Sequence, residues 1–367
     1  MKTFPCECGN VLHFENTLCF NCGRDVGFLP DALRLSALEP ATNGTRRALA
    51  NGRVYHPCRN QYEYNACNWL VPAEDPHDYC ASCRLNRVIP DLGDPQNLPL
   101  WYRIEGAKRR LLYTLYELGL PVTGRHEDPA GGLAFEFLAD PQGATDEFVN
   151  EAAPRHRVMT GHRTGVITIN IMEAEDSVRE RIRVQMNERY RTLLGHFRHE
   201  SGHYYWDRLV AGAARLDSFR ALFGDERTDY EQAMHRYYAG GAPPDWQQSW
   251  ISAYASMHPW EDWAETWAHY LHMVDTLETA HDFDSSIGGR PLATVEAACA
   301  QAASGYGAAD SFNALMEDWA RLSVALNALN RSMGLPDAYP FAVTGQALDK
   351  LRFVHAVIQG SSEGGRI

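Results

Sequence analysis

Clustered cysteines are the strongest constraint on how the first part of this chain can fold. Eight of the nine cysteines lie within the first 83 residues, and Cys6/Cys8 and Cys19/Cys22 form two short pairs, each followed by glycine. Hairpins of this kind hold four thiolates in a tetrahedron around one Zn²⁺ ion. A segment of about 30 residues cannot build a hydrophobic core, so the metal would supply its folding free energy. The pattern predicts a zinc ribbon over residues 1–30.

The remaining clustered cysteines predict a second metal site. Cys58 and Cys67 are widely spaced, and only Cys80 and Cys83 form a recognisable knuckle. We favour a second four-cysteine zinc site within residues 31–95, which combine a connector with this second cysteine module.

Two other interpretations of the second module stay open at this point. His56 and His77 are competing ligands for the metal. Alternatively, the first two cysteines of the module are buried without a metal, in a small core with Tyr62, Tyr64 and Trp69. Free cysteines often behave as small buried hydrophobic residues.

The connector between the two modules is predicted to contain a short helix. It runs from Pro30 to Arg53 and includes turn residues. Its leucines Leu33, Leu35 and Leu38 give a short helical pattern.

The charge of the chain argues against a nucleic-acid-binding function. The net charge is −13, and the first 30 residues hold only Lys2 and Arg24 against Glu7, Glu15 and Asp25. Proteins that bind phosphate backbones need a basic surface. We therefore expect the zinc ribbons to support the structure or to dock a protein partner.

The apolar residues are not arranged for export or for membrane insertion. The N-terminus has no apolar run of signal-peptide length, and no stretch of 18 uninterrupted apolar residues occurs. We expect a cytoplasmic protein with no membrane partner. In that reducing compartment, clustered cysteines indicate metal sites rather than disulfides.

A His-Glu-x-x-His motif points to a catalytic metal. His199 and His203 lie four residues apart in a proline-free stretch with helical periodicity, which places both imidazoles on one helix face. Glu200 then lies beside the open side of the metal, where a base is needed. The competing interpretation is a chance match on an ordinary amphipathic helix.

A catalytic zinc also needs a third protein ligand and one open position. Pro259 suits the first turn of a later helix, on which Glu261 and Glu265 lie four residues apart. Glu261 could ligate, and Glu265 could hold a ligand imidazole. The alternative for Glu261 is a capping role, because acidic residues are favoured in the first helical turn. Asp207, four residues after the motif, is a second candidate for holding an imidazole or is a surface acid.

These two segments together resemble a known clan of zinc peptidases. His199-Glu200-x-x-His203 followed by Glu261-x-x-x-Glu265 resembles the gluzincins. The pattern from Glu261 to Glu265 is similar to the glutamate helix of the anthrax lethal factor metalloprotease group. The whole chain resembles a family of bacterial zinc-binding metallopeptidases that carry an N-terminal zinc ribbon.

The resemblance implies a role for each residue of the site. His199, His203 and Glu261 would bind zinc, and Glu200 would act as general base in the hydrolysis of peptide bonds. A tyrosine seven residues before the glutamate ligand would assist the oxyanion. Tyr254 occupies that place, with His258 as the substitute. Asp262 stands where the lethal factor group has an aromatic residue, and is a rival ligand.

The predicted fold class is α+β. A mainly helical, gluzincin-like zinc peptidase domain with a small sheet is expected over residues 96–360, after the zinc-ribbon modules and before a flexible tail at 361–367. Strand alternation predicts β-strands at 132–138 and 165–172. The second strand would either offer a free edge to an extended peptide substrate or lie inside the sheet.

The sequence leaves two candidate functions open. The first is a peptidase with one catalytic and two structural zinc ions, acting on a peptide or protein. The second is a catalytically weak, peptidase-like module that docks a protein partner through its zinc ribbons. An intact Glu200 favours the first, because a structural zinc has no need of a base.

Overall fold

A computed structural model describes residues 2–140, 158–186, 188–283, 285–287, 290–291 and 308–362. The chain divides into two compact units. The cysteine unit comprises residues 3–113 and 122–194, and the helical unit comprises residues 1–2, 114–121 and 195–367. A zinc-ribbon region precedes a mainly helical region, so the predicted α+β class is confirmed.

The cysteine unit begins with a small hairpin and an antiparallel five-stranded sheet. The hairpin pairs β1 (Phe4–Pro5) with β2 (Val11–Leu12). The sheet follows chain order, and its strands are β3 (Val26–Leu29), β4 (Arg34–Pro40), β5 (Arg46–Ala48), β6 (Val54–Pro57) and β7 (Leu70–Pro72).

The helix predicted in the connector is wrong. Leu35 and Leu38 belong to strand β4, in which four consecutive residues are buried. A strand covered on both faces does not alternate polar and apolar residues, and a short apolar run of this kind cannot be told from a helix by its period. The core beside this sheet is aromatic, with the rings of Phe28 and Trp69 stacked 4.7 Å apart.

A second sheet in the cysteine unit contains both predicted strands. It consists of β8 (Asn86–Val88), β9 (Ala134–Leu138), β10 (Gly161–Arg163) and β11 (Val166–Asn170), in the order β10-β11-β9-β8. Strand β11 pairs with β10 on one side and with β9 on the other. It is therefore an interior strand, and the free-edge alternative for it is wrong.

Helices account for most of the remaining described residues. They are α1 (Arg59–Tyr64), α2 (Asn97–Glu117), α3 (Asp176–Gln185), α4 (Leu193–Leu209), α5 (Leu216–Phe223), α6 (Tyr230–Gly240), α7 (Pro259–Asp282), α8 (Ala308–Ser332) and α9 (Gly345–Ser362). A short pair, β12 (Ser286–Ile287) and β13 (Arg290–Pro291), follows α7. None of the described helices has the length and apolar character needed to cross a bilayer.

The C-terminal helix extends further than the sequence predicts. Helix α9 includes Ser361 and Ser362, which belong to the predicted tail. The rest of that tail, residues 363–367, lies outside the described part of the chain.

Helices α4 and α7 approach each other closely at Gly202. A Cβ atom added to Gly202 would lie 2.9 Å from Cα of Ala264 and 3.2 Å from Cβ of Trp267. The indole of Trp263 donates to the Gly202 carbonyl over 2.8 Å, and that of Trp267 donates to Oγ of Ser201 over 3.1 Å. The indoles of Trp263 and Trp267 thus face α4, where their N–H groups find acceptors.

A buried ion pair fastens the same two helices one turn earlier on α4. Arg198 donates to Oδ2 of Asp275 over 2.5 Å, and Oγ1 of Thr114 donates to the other carboxylate oxygen over 2.6 Å. Because both charges are buried, removal of either partner would leave the other uncompensated.

The contact at Gly202 predicts that a single added methyl group lowers the stability of the protein. We expect Gly202→Ala to lower the free energy of unfolding by about 1–3 kcal/mol, the usual range for overpacking a tight core. Urea titration of the metal-loaded protein measures it. The control is Gly106→Ala on α2, where an added Cβ meets no atom within 4 Å. That change should stabilise by about 0.5–1 kcal/mol. An equal change in the free energy of unfolding in the two variants would contradict the close contact at Gly202.

Candidate metal centre

The helical unit brings two imidazoles and one carboxylate to a single point. His199 and His203 lie one turn apart on α4, and Glu261 is the third residue of α7. Oε2 of Glu261 lies 3.0 Å from Nε2 of His199 and 3.5 Å from Nε2 of His203. Their ligand atoms all lie within 4.8 Å of one another. One oxygen therefore faces both imidazoles.

This donor set fits a zinc ion. Zinc bonds of about 2.0–2.1 Å in a tetrahedron place neighbouring ligand atoms about 3.4 Å apart, close to the observed separations. The charges agree with the distances. Burial alone would lower the pKa of His199, but Glu261 and Glu265 raise that pKa well above its usual value. The two carboxylates thus favour a cation beside the imidazole, which a metal ion can supply in place of a proton.

Glu265 fixes the orientation of one ligand imidazole. Its Oε1 accepts from Nδ1 of His199 over 2.7 Å, which leaves the lone pair of Nε2 directed toward Glu261. Ser252 donates to the other oxygen of Glu265 over 2.5 Å and accepts from the backbone N–H of Ala255 over 3.1 Å. Carboxylates of this kind set the tautomer and raise the basicity of metal-binding histidines. The structure thus brings Glu265 into direct contact with the imidazole of His199.

Glu200 is a buried carboxylate that makes no hydrogen bond or ion pair within the described part of the chain. It is 8% exposed and lies next to His199 on α4. Burial raises its pKa above the usual value for a glutamate. A carboxylate in this state is a better proton acceptor than a solvated one.

Two tyrosines lie beside the glutamate ligand. Tyr230, the first residue of α6, donates from its hydroxyl to Oε1 of Glu261 over 2.8 Å. Tyr254 lies with its ring centroid 6.0 Å from that of His199. Burial raises the pKa of Tyr254 well above its usual value, so the phenol keeps its proton at neutral pH.

His258, the alternative candidate for the oxyanion donor, forms hydrogen bonds through both ring nitrogens. Its Nδ1 accepts from the backbone N–H of Trp260 over 3.1 Å, which caps the N-terminus of α7. Its Nε2 donates to the carbonyl of Thr228 over 3.1 Å. Both ring nitrogens are thus engaged with backbone groups, and His258 positions α7 instead.

Two further acidic residues occupy places other than the metal site. Asp207 is exposed, and its interaction with His203 is electrostatic. Asp262, the rival ligand in the sequence, is fully buried and accepts from Nζ of Lys350 on α9 over 2.6 Å. Burial raises the pKa of Asp262 to about 7, although Lys350 opposes that change. Asp262 therefore joins α7 to α9 rather than binding the metal.

The first cysteine cluster lies at the hairpin of the cysteine unit. Sγ of Cys6 is 3.9 Å from that of Cys22, and Sγ of Cys8 is 3.7 Å from that of Cys19. A tetrahedron with zinc–sulfur bonds of about 2.3 Å gives separations of about 3.8 Å. A hydrogen bond from Asn21 lowers the pKa of Cys8 to about 6, which favours the thiolate that binds metal.

The second cluster unites the four cysteines of the second module. Cys58, Cys67, Cys80 and Cys83 are all buried, and Sγ of Cys67 lies 3.7 Å from those of both Cys80 and Cys83. The two histidines considered as rivals are engaged elsewhere. His56 contacts the carbonyl of Pro57, and His77 contacts the carboxylate of Asp75.

Buried charges surround this second cluster. Arg109 is 3% exposed and donates to the carbonyl of Ala66. Burial opposes a low pKa of Cys67, but hydrogen bonds with the other three cysteines lower that pKa, and the charge of Arg109 adds to their effect. Lys108 and Glu105, both fully buried, form an ion pair of 2.9 Å beside it. Four thiolates around Zn²⁺ carry a net charge of −2, which the guanidinium partly balances inside the protein.

Comparison with known families assigns the chain. Residues 97–357 match the model of a family described as "Putative zinc-binding metallo-peptidase", and residues 3–94 match a zinc-ribbon domain. The chain belongs to this zinc-binding metallopeptidase family. The resemblance to this family and to an N-terminal zinc ribbon, noted from the sequence, is thus confirmed. The zinc-binding character of the family agrees with the three clusters of ligand atoms found among the described residues.

Relatives of this chain occur in mycobacteria. "Uncharacterized protein Mb2598c" of Mycobacterium bovis and "Uncharacterized protein Rv2568c" of Mycobacterium tuberculosis are each 42% identical to the chain over 360 residues. The alignment covers 98% of this chain and 95% of each relative. No solved structure matches the chain significantly.

Sequence reasoning missed several residues that lie beside the candidate metal clusters. Ser252 and Tyr230 support Glu265 and Glu261, yet neither lies in a motif. Arg109 is buried beside the second cysteine cluster. The only signal for it in the sequence is that a basic residue follows the cysteine module along the chain.

The contact between Glu265 and His199 predicts a loss of metal affinity in Glu265→Gln. The neutral amide cannot stabilise the imidazole as a carboxylate does, and losing such a partner typically weakens metal binding by about 10–100-fold. Competition with a chromophoric zinc chelator measures the change. Glu231→Gln, on an exposed residue of α6, serves as the matched control. Unchanged affinity in Glu265→Gln would show that the hydrogen bond does not tune the site.

Proposed function

We propose that the protein is a zinc-dependent peptidase of the gluzincin type, which hydrolyses amide bonds with water and uses Glu200 as general base. The observation that carries this proposal is the buried carboxylate of Glu200, which has no structural partner among the described residues and lies beside three convergent ligands. A structural metal site has no use for such a group.

Each side chain has a separate task in this proposal. Zinc, when bound by His199, His203 and Glu261, supplies Lewis acidity that polarises a carbonyl and acidifies water. Glu200 accepts a proton from the attacking water on its carboxylate and delivers it to the leaving amine nitrogen. Tyr254, held protonated by its environment, donates to the oxyanion of the tetrahedral intermediate.

The proposed substrate is a peptide or a protein. The protein would bind one catalytic zinc ion and two structural zinc ions, the latter at the cysteine clusters. The zinc ribbons are assigned to structural support and to docking a protein partner. Nucleic acid is not proposed as a partner, because the chain is acidic and carries no basic run in its ribbons.

The proposal predicts that Glu200→Gln separates metal binding from turnover. The variant should retain the wild-type zinc content, because Glu200 is not a ligand. Its cleavage rate should fall by about 10²–10⁴-fold, the usual contribution of general acid–base catalysis. A fluorogenic peptide library and metal analysis give the two readouts, with Glu231→Gln as the control.

Two results would contradict the proposal in different ways. Cleavage by Glu200→Gln at the wild-type rate would remove Glu200 from the chemistry. A zinc-loaded wild-type protein that cleaves no member of the library would instead favour the peptidase-like binding module.

A further inference from the structure

The two oxygens of the Glu261 carboxylate have different environments. Oε2 faces Nε2 of both histidines, at 3.0 and 3.5 Å. Oε1 accepts a hydrogen bond from the hydroxyl of Tyr230 over 2.8 Å. The carboxylate is 2% exposed, so water has little access to either oxygen. One oxygen thus belongs to the metal site, and the other belongs to the tyrosine.

This division affects how the carboxylate can bind a metal. A glutamate can bind zinc through one oxygen or through both. Coordination through both oxygens crowds the position that a catalytic site must keep open for water, and raises the coordination number from four to five when that water stays bound. A strong donor on the second oxygen opposes that change, because the carboxylate would have to give up a hydrogen bond in a buried setting.

The surroundings hold the Tyr230 ring in place. Asp229, the residue before it, caps α6 by accepting from the backbone N–H of Gln232 over 2.9 Å. The Tyr230 ring lies 5.2 Å from that of His258 and 6.2 Å from that of Trp260. His258 in turn donates to the carbonyl of Thr228. The N-terminal ends of α6 and α7 therefore contact each other, and the Tyr230 ring packs between them.

We propose that Tyr230 is a positioning residue that restricts Glu261 to one-oxygen coordination and so keeps the fourth metal position open. The inference rests on the proposed function, since an open position matters only for a catalytic metal. It assigns to Tyr230 a task that neither the motif nor the family description includes.

The test is Tyr230→Phe, which removes one hydroxyl and leaves the ring in place. We expect zinc affinity at the histidine site to fall by about 10-fold, the lower end of the range for a lost outer partner. With Co²⁺ substituted at this site, the visible absorption should weaken and shift from a four-coordinate to a five-coordinate pattern. Neither readout depends on a substrate.

Tyr238→Phe is the matched control, because it makes the same chemical change on the same helix at a residue that is 58% exposed. It should leave both zinc affinity and the cobalt spectrum at wild-type values. A urea unfolding midpoint equal to that of the wild type checks that Tyr230→Phe is folded. A Tyr230→Phe protein with wild-type affinity and a wild-type cobalt spectrum would overturn the inference.

The wild-type protein provides a second test that requires no variant. Its cobalt-substituted histidine site should be four-coordinate, and a five-coordinate spectrum with both oxygens of Glu261 bound would overturn the inference. A four-coordinate site in a protein that cleaves no peptide would refute only the proposed hydrolysis. The two failures are therefore distinguishable.

Discussion

The close contact of α4 and α7 at Gly202 is the constraint on which the candidate site depends. The three ligands come from these two helices, and only a glycine at the crossing lets the backbones approach so closely. The indole hydrogen bonds of Trp263 and Trp267 and the buried pair of Arg198 with Asp275 hold the helices in one register. Fold and site are thus set by the same interface.

Metal ions would act in this chain where hydrophobic burial is insufficient or where charge must be balanced. At the first cysteine cluster, a short hairpin has little core of its own. At the second, four buried thiols lie among Arg109, Lys108 and Glu105. At the histidine site, two imidazoles and a buried carboxylate converge with further carboxylates nearby. In each arrangement, a bound cation would balance the charge of the deprotonated ligands.

The parts of the site that depend on local spacing could be predicted from the sequence. Helical geometry puts His199 and His203 on one face, and short cysteine pairs identify the first cluster. Glu265 was also expected to hold an imidazole, because it lies one turn after Glu261. These inferences need only the period of a helix or the size of a turn.

The remaining parts depend on packing between distant segments. Tyr230 reaches Glu261 from 31 residues away, and Lys350 reaches Asp262 from 88 residues away. His258 caps α7 through Nδ1, and the carbonyl of Thr228, 30 residues away, accepts from its Nε2. Strand β4 was predicted as a helix, because burial on both faces hides the strand period. No local pattern encodes such pairings, so they required the three-dimensional structure.

Zinc stoichiometry by elemental analysis tests the central claim most directly, because it examines the histidine site without a substrate. Three zinc ions per chain are predicted for the wild type and for the exposed control His235→Ala, and two for the double variant His199→Ala/His203→Ala. Two ions in the wild type, unchanged in the double variant, would contradict a metal centre between α4 and α7.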